Sequence, residues 1–295
     1  MLTAWSSHLF STDWGTRAVA ENDPVYKPIS YHQGTVWPLF TGWNSLAQYH
    51  SARPLAGYAA LRKNLSLTWA GDPGAVTELL SGRFYQPLGR SSSHQLWSSA
   101  MVVAPAVRGL FGLGPDATTN TLVVHPQLPA SWDRASLDNV RVGATLYAVR
   151  MVKEGDRLRV TVNSTQPTVL CLRTAADKQT PCTEQPAAQH TLSLPLPLVE
   201  AELLNPADPQ PGDSTHGTRV IDEQRDAHSL RLLLEGAPGS EARMLLRING
   251  KARLTSAGGS LQGGELRVVL PAATTPQAMP QGDGPFTTQL VTLHW

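Results

Sequence analysis

A change of hydrophobic period near residue 120 constrains this 295-residue chain more than any other feature of its sequence. Before it, apolar residues recur at steps of three and four. Val36, Leu39, Phe40, Trp43, Ala47 and His50 fall on one stripe, which predicts a helix over 35–51 with Trp43 in the core. Pro54 stands where a first helical residue would, and Leu55, Tyr58, Ala59, Leu65 and Trp69 carry a second helix to about 70. A third, over 96–111, follows Ser91-Ser92-Ser93 as candidate caps and should kink at Pro105. After residue 120 the runs are short and alternating. Strands are predicted at 121–125, 137–142, 145–152, 158–162, 168–172, 229–234, 243–248, 265–270 and 287–294, with 203–218 as a loop and 257–264 as a hairpin turn. Aromatic residues follow the same divide: seven of eight Trp lie before residue 133. The reading is therefore two domains, 1–132 and an all-β, sandwich-like 133–295.

Composition narrows function by exclusion. A net charge of +1 and no long Lys/Arg cluster give nothing to attract nucleic acid or anionic lipid, and no span is long enough to cross a bilayer. The first residues show no basic start, apolar run or cleavage site, so no signal peptide is read there and the compartment stays open. Cys171 and Cys182 fit either a hairpin-closing disulfide or two idle thiols; a metal site lacks further ligands, and no cofactor motif occurs. The Gly-rich 257–264 lacks the Lys and helix of a phosphate loop, and Asp222, Glu223 and Asp226 read as a solvated charge run.

Two of the predicted helices open on polar clusters: Tyr31-His32-Gln33 before the first, and Ser92-Ser93-His94-Gln95 before the third. Glu78 lies in the loop between them. Asp13 and Arg17 read as a structural ion pair or a substrate contact.

The ordered pieces YHQGTVWP (31–38), TELLSG (77–82), SSHQLWSSAM (92–101), GLFGLGPDA (109–117) and TLVVHPQLPASW (121–132) resemble the closing part of the α/α-toroid glycoside hydrolases. They are most similar to the amylo-α-1,6-glucosidase portion of glycogen-debranching enzymes. The resemblance covers about residues 10–145. It implies an α+β chain: the terminal helices of a partial (α/α)6 barrel followed by a β accessory domain. It implies inverting hydrolysis of α-glucosidic bonds in an oligosaccharide or glucan, with Glu78 as the water-activating base. Tyr31, His32, Gln33, Trp37, His94, Gln95 and Trp97 would line the sugar pocket, with Asp13 and Arg17 near it. The family's general acid lies some two hundred residues upstream of its base, whereas 77 residues precede Glu78 here. The chain thus reads as the end of a longer protein, with a missing N-terminal barrel half as a possible partner; the alternative is a carbohydrate-binding or assembly module without catalysis. Where this chain has Ser93-His94-Gln95-Leu96-Trp97, family members more often show a Pro-Gln-Ala-Trp run, which alters the expected pocket wall.

Overall fold

The computed structural model describes residues 1–174, 181–204, 208–273 and 284–295. In chain order its elements begin with α1 (Leu2–Ser6), β1 (Ser11–Thr12), β2 (Gly15–Thr16), α2 (Pro38–His50), α3 (Pro54–Leu67) and α4 (Leu96–Pro105). Strands follow: β3 (Leu113–Asp116), β4 (Thr121–Val124), β5 (Arg134–Val142), β6 (Thr145–Glu154), β7 (Arg157–Leu172), β8 (Ala187–Pro195) and β9 (Val199–Leu203). The last are β10 (Arg219–Arg225), β11 (Ser229–Gly236), β12 (Glu241–Ile248), β13 (Thr255–Ala257), β14 (Ser260–Gln262), β15 (Glu265–Val269) and β16 (Thr287–His294).

The expected partial (α/α)6 barrel is not what forms. The chain is 40% strand and 17% helical, with four α-helices among the described residues. Two features of the chain prevent a helical ring. The segments 7–37 and 68–95 are turns, bridges and the short strands β1 and β2 rather than helices, and α1 and α3, besides packing against α2, also pack against strand β10.

Two compact units result. The first gathers 1–106, 203–245 and 253–295; the second gathers 107–202 and 246–252, so the expected boundary at 132 falls inside the second. In the first unit β10-β11-β16-β13 form one antiparallel sheet, and β14, β15 and the start of β12 another. Alternation sets the buried face: Leu230, Leu232 and Leu234 of β11 and Val291 and Leu293 of β16 are all buried. A separate cluster of Trp14, Val36, Leu67, Val76 and Leu80 lies under the loops between the helices. In the second unit β3-β4-β7-β6-β5 form a sheet, with β8 also paired to β7. The predicted strands 158–162 and 168–172 are one continuous strand, β7, whose pairing with β8 shifts register between Asn163 and Thr168. Cys171 and Cys182 form a disulfide, which resolves that alternative.

Helix α2 is turned relative to expectation. Its buried face is Thr41, Asn44, Ser45, Gln48 and Tyr49, and Trp43 is 47% exposed rather than core. Most of the polar face is satisfied: the Asn44 amide donates to the Thr16 hydroxyl at 3.2 Å, the Gln48 amide to Ser6 Oγ at 2.9 Å, and Ser45 Oγ to the Gly57 carbonyl at 2.7 Å, while Gln48 Oε1 and the Tyr49 hydroxyl are buried without a protein partner among the described residues. Helix α4 ends at Pro105 and passes into a π-helical turn over Ala106–Leu110, earlier than the predicted 111, because Pro105 has no N–H with which to continue the ladder.

Two further expectations are corrected. Ser260–Gln262, inside the predicted hairpin turn, is strand β14 paired to β15. Glu223 is not a solvated charge: its carboxylate accepts the N–H groups of Leu55 (2.9 Å) and Ala56 (3.4 Å) at the start of α3, beside Pro54. Such a cap favours the ionised form. Burial outweighs it and pushes the Glu223 carboxyl up to about 7, against the pull of those N–H groups and of Arg53 and Arg225. A carboxyl raised on folding stabilises most below its unfolded value and loses that contribution as pH rises through about 7. Chemical denaturation at pH 5 and pH 8 should therefore show stability falling by ~2 kcal/mol, and Glu223→Gln should flatten that slope.

Candidate functional site

Backbone pairing brings the three polar segments together. Val36 and Leu80 exchange N–H···O bonds of 2.9 and 3.0 Å, so the YHQG turn lies beside the ELLSG loop. The Glu78 N–H donates to the Ser92 carbonyl at 2.8 Å and the Gln95 N–H to the Val76 carbonyl at 3.0 Å, tying in the approach to α4. Glycine is required where the loops meet. A Cβ on Gly34, at φ +148°, would come within 2.6 Å of the Tyr26 ring, and one on Gly82 would come within 1.9 Å of the Gly34 carbonyl oxygen.

At the junction, the Tyr31 hydroxyl donates a short hydrogen bond to Glu78 Oε1. The Gln95 amide donates to the same oxygen and the Ser92 N–H to Oε2, both at 3.4 Å, long enough that the phenol is the dominant partner. Glu78 is only 7% exposed, so these donors largely enclose it. The bond to Glu78, then burial and the carboxylate's charge, raise the Tyr31 phenol above its ordinary value; Arg90, whose guanidinium lies over the Tyr31 ring at 5.7 Å, opposes them.

Aromatic rings extend outward from this group. The Tyr31 ring stands edge-on to His32 (4.8 Å, 78°) and to Trp37 (5.0 Å, 88°), and His32 lies stacked on Trp37 at 5.8 Å and 11°. Trp37 stacks on Phe40 at 5.4 Å, and Phe40 leads to the exposed Trp43 at 5.5 Å. Trp37 is buried at the centre of this ladder, its indole N–H shared between the Tyr31 carbonyl and Thr35 Oγ1, while His32 is exposed at the outer end. No sequence periodicity announced the ladder, because its members are split between a turn and the outward face of α2.

The other expected residues are placed differently. His94 is engaged elsewhere than at Glu78: its Nε2 pairs with Asp72 at 3.0 Å and its Nδ1 with Ser93 Oγ at 2.8 Å. Gln33 is folded into its own turn, accepting from Ser30 Oγ at 3.1 Å. Gln95 both holds Glu78 and caps α4, accepting the Leu96 N–H at 3.0 Å. Trp97 is 43% exposed one residue further on. Asp13 and Arg17 do not pair with each other, which corrects that expectation. Arg17 is interior, donating to the Gly82 carbonyl at 2.7 Å and pairing with Glu21 at 3.3 Å. Asp13 accepts the N–H groups of His216 and Gly217, each at 2.9 Å, and pairs with Arg219 at 3.4 Å. Burial would raise the Asp13 carboxyl, but Arg219, those N–H groups and Lys63 together hold it below its ordinary value.

This arrangement offers hydrogen-bonding atoms of three kinds beside aromatic faces, around a carboxylate that is largely covered. Among the described residues no group of three or more His, Cys, Asp or Glu could hold a metal ion. No protein-family model matches the sequence, and no curated protein matches it significantly.

Proposed function

We propose that the chain is carbohydrate-active and that the Tyr31–Glu78–Gln95 group, with His32 packed on Tyr31 and the exposed Trp97 two residues after Gln95, binds an α-glucan or oligosaccharide without hydrolysing it. The observation that carries this reading is the joint engagement of Glu78 Oε1 by Tyr31 and Gln95, beside the His32–Trp37 stack. Sugars present hydroxyls along an edge and C–H groups on a face, which suit polar side chains next to aromatic rings. The likeness of YHQGTVWP, TELLSG and SSHQLW to glycoside hydrolase segments supports the same ligand class.

Binding is preferred over turnover on two grounds. An inverting glycosidase requires a base that reaches a water and a second carboxyl about 6.5–9.5 Å from it. Glu78 is enclosed by its three donors, so its role is to fix Tyr31 and Gln95. Asp13, the other carboxylate expected near the pocket, has a partner of its own in Arg219.

In native gels cast with soluble α-glucan, the chain should be retarded and should release no reducing sugar. Trp97→Ala should weaken binding about tenfold, the effect of removing one aromatic contact. Equal migration with and without glucan would refute the reading, and release of reducing sugar would restore hydrolysis.

A further inference from the structure

A cavity of about 290 Å³ occurs in the first unit, bounded by α3, Asp13 and the segment 208–219. It is at the small end for ligand pockets, so it suits a molecule of a few heavy atoms. Lys63 and Arg62, adjacent on α3, both line it. The Lys63 ammonium has one hydrogen-bond acceptor, Ser11 Oγ at 2.6 Å, for three N–H donors, and neither side chain forms an ion pair among the described residues. Arg219, by contrast, is fully engaged by Asp13, the Ser11 carbonyl and the Gly217 carbonyl. Among the described residues the cavity therefore presents one primary amine and one guanidinium with donors not taken up by an ion pair.

We infer that Lys63 is a reactive amine that condenses with a small 2-oxo acid, with Arg62 receiving the carboxylate of that molecule. The free Lys63 amine attacks the ketone or aldehyde carbon and forms the C–N bond. The nitrogen gives up both of its protons, the carbonyl oxygen leaves with them as one water, and an imine results, with no oxidant or reductant required. Burial first, then the positive charge of Arg219 and Arg17, pull the Lys63 ammonium down to about 7, although Asp13 and Glu235 act to hold its proton. Asp208, Asp213 and His216 also line the cavity. This site shares no residue with the proposed saccharide group and stands or falls separately from it.

The test uses the full chain with pyruvate and sodium cyanoborohydride at pH 7.5, followed by digestion and peptide mass analysis. The expected result is a reduced adduct on Lys63 forming at least ~10-fold faster than on the exposed Lys27 or Lys251, since a larger fraction of Lys63 is unprotonated at that pH. Lys63→Arg, which keeps the charge, should abolish this adduct with an unchanged circular dichroism spectrum. Arg62→Gln should slow modification by pyruvate about tenfold but leave modification by acetaldehyde, which has no carboxylate, unchanged. Lys63 modified no faster than Lys27 in the folded protein would overturn the inference. Equal slowing of pyruvate and acetaldehyde in Arg62→Gln would remove Arg62 from it.

Discussion

Glu78→Ala is expected to abolish saccharide binding and to destabilise the chain by ~2–4 kcal/mol in urea denaturation, the cost of leaving several enclosed donors without an acceptor. The reasoning is local. Glu78 is the acceptor for the Tyr31 hydroxyl, the Gln95 amide and the Ser92 N–H, and it is 7% exposed, so water has little room to replace it. Without it Tyr31 and Gln95 lose their common anchor, although the backbone bonds Val36–Leu80, Glu78–Ser92 and Gln95–Val76 still tie the segments together. Glu78→Gln separates the two consequences. Its carbonyl oxygen can still accept from Tyr31 and Gln95, which share Oε1, while its NH2 faces the Ser92 N–H, so most stability is kept and binding falls about tenfold. Loss of stability in Glu78→Ala without loss of affinity would show that the group is only structural.

The second large effect is Trp14→Ala. Trp14 is fully buried against Val36, Leu67, Val76 and Leu80, and its indole N–H donates to the Ser81 carbonyl at 2.9 Å. Large-to-small replacement of a core Trp costs ~3–5 kcal/mol, a large share of a typical domain's stability. Thermal melting should show the first unit losing on the order of 10 °C, and saccharide binding should disappear with it, because Val36 and Leu80 are both members of this cluster and the residues that pair the two site loops. Trp14→Phe, which keeps most of the volume but loses the N–H, should lie between this variant and the wild type. A melting temperature within a degree or two of wild type for Trp14→Ala would mean that this cluster does not support the unit.

Much of the secondary structure could be read from residue pattern. Pro54 stands at a helix start and the strand at 287–294 has the predicted bounds, whereas α2 begins at Pro38 rather than 35 and Pro105 ends α4 rather than kinking it. What periodicity could not supply was the direction in which a helix faces. On α2 the apolar stripe of Phe40 and Trp43 points outward, and the interior is built from Thr41, Asn44, Ser45 and Gln48, whose hydrogen bonds reach residues 28 to 42 positions away in several cases. Amphipathic pattern assumes that polar means exposed, and long-range hydrogen bonds remove that assumption. The expected barrel failed for a related reason: a likeness confined to short loop and helix-entry segments says nothing about the elements that cover the helices, and here strand β10 from late in the chain does so.

The site was readable in part. Tyr31, Glu78 and Gln95 converge because the segments around them are short, Gly-bearing and rich in hydrogen-bonding residues, features visible in the sequence. The orientation of His94 towards Asp72 and the capping of α3 by Glu223 were not visible, since each depends on one side chain meeting a partner that no local pattern specifies. The cavity containing Lys63 was hidden for the same reason, as its walls come from α3 and from residues about 150 positions later.

The most direct test of the saccharide reading is an NMR titration of the full chain with maltohexaose. The His32 ring and the Trp97 indole should shift saturably with a single dissociation constant, while the buried Trp14 indole, bonded to Ser81, should not. Absence of any saturable shift at His32 and Trp97 up to ~10 mM ligand, a concentration at which even weak sugar binding would register, would contradict it.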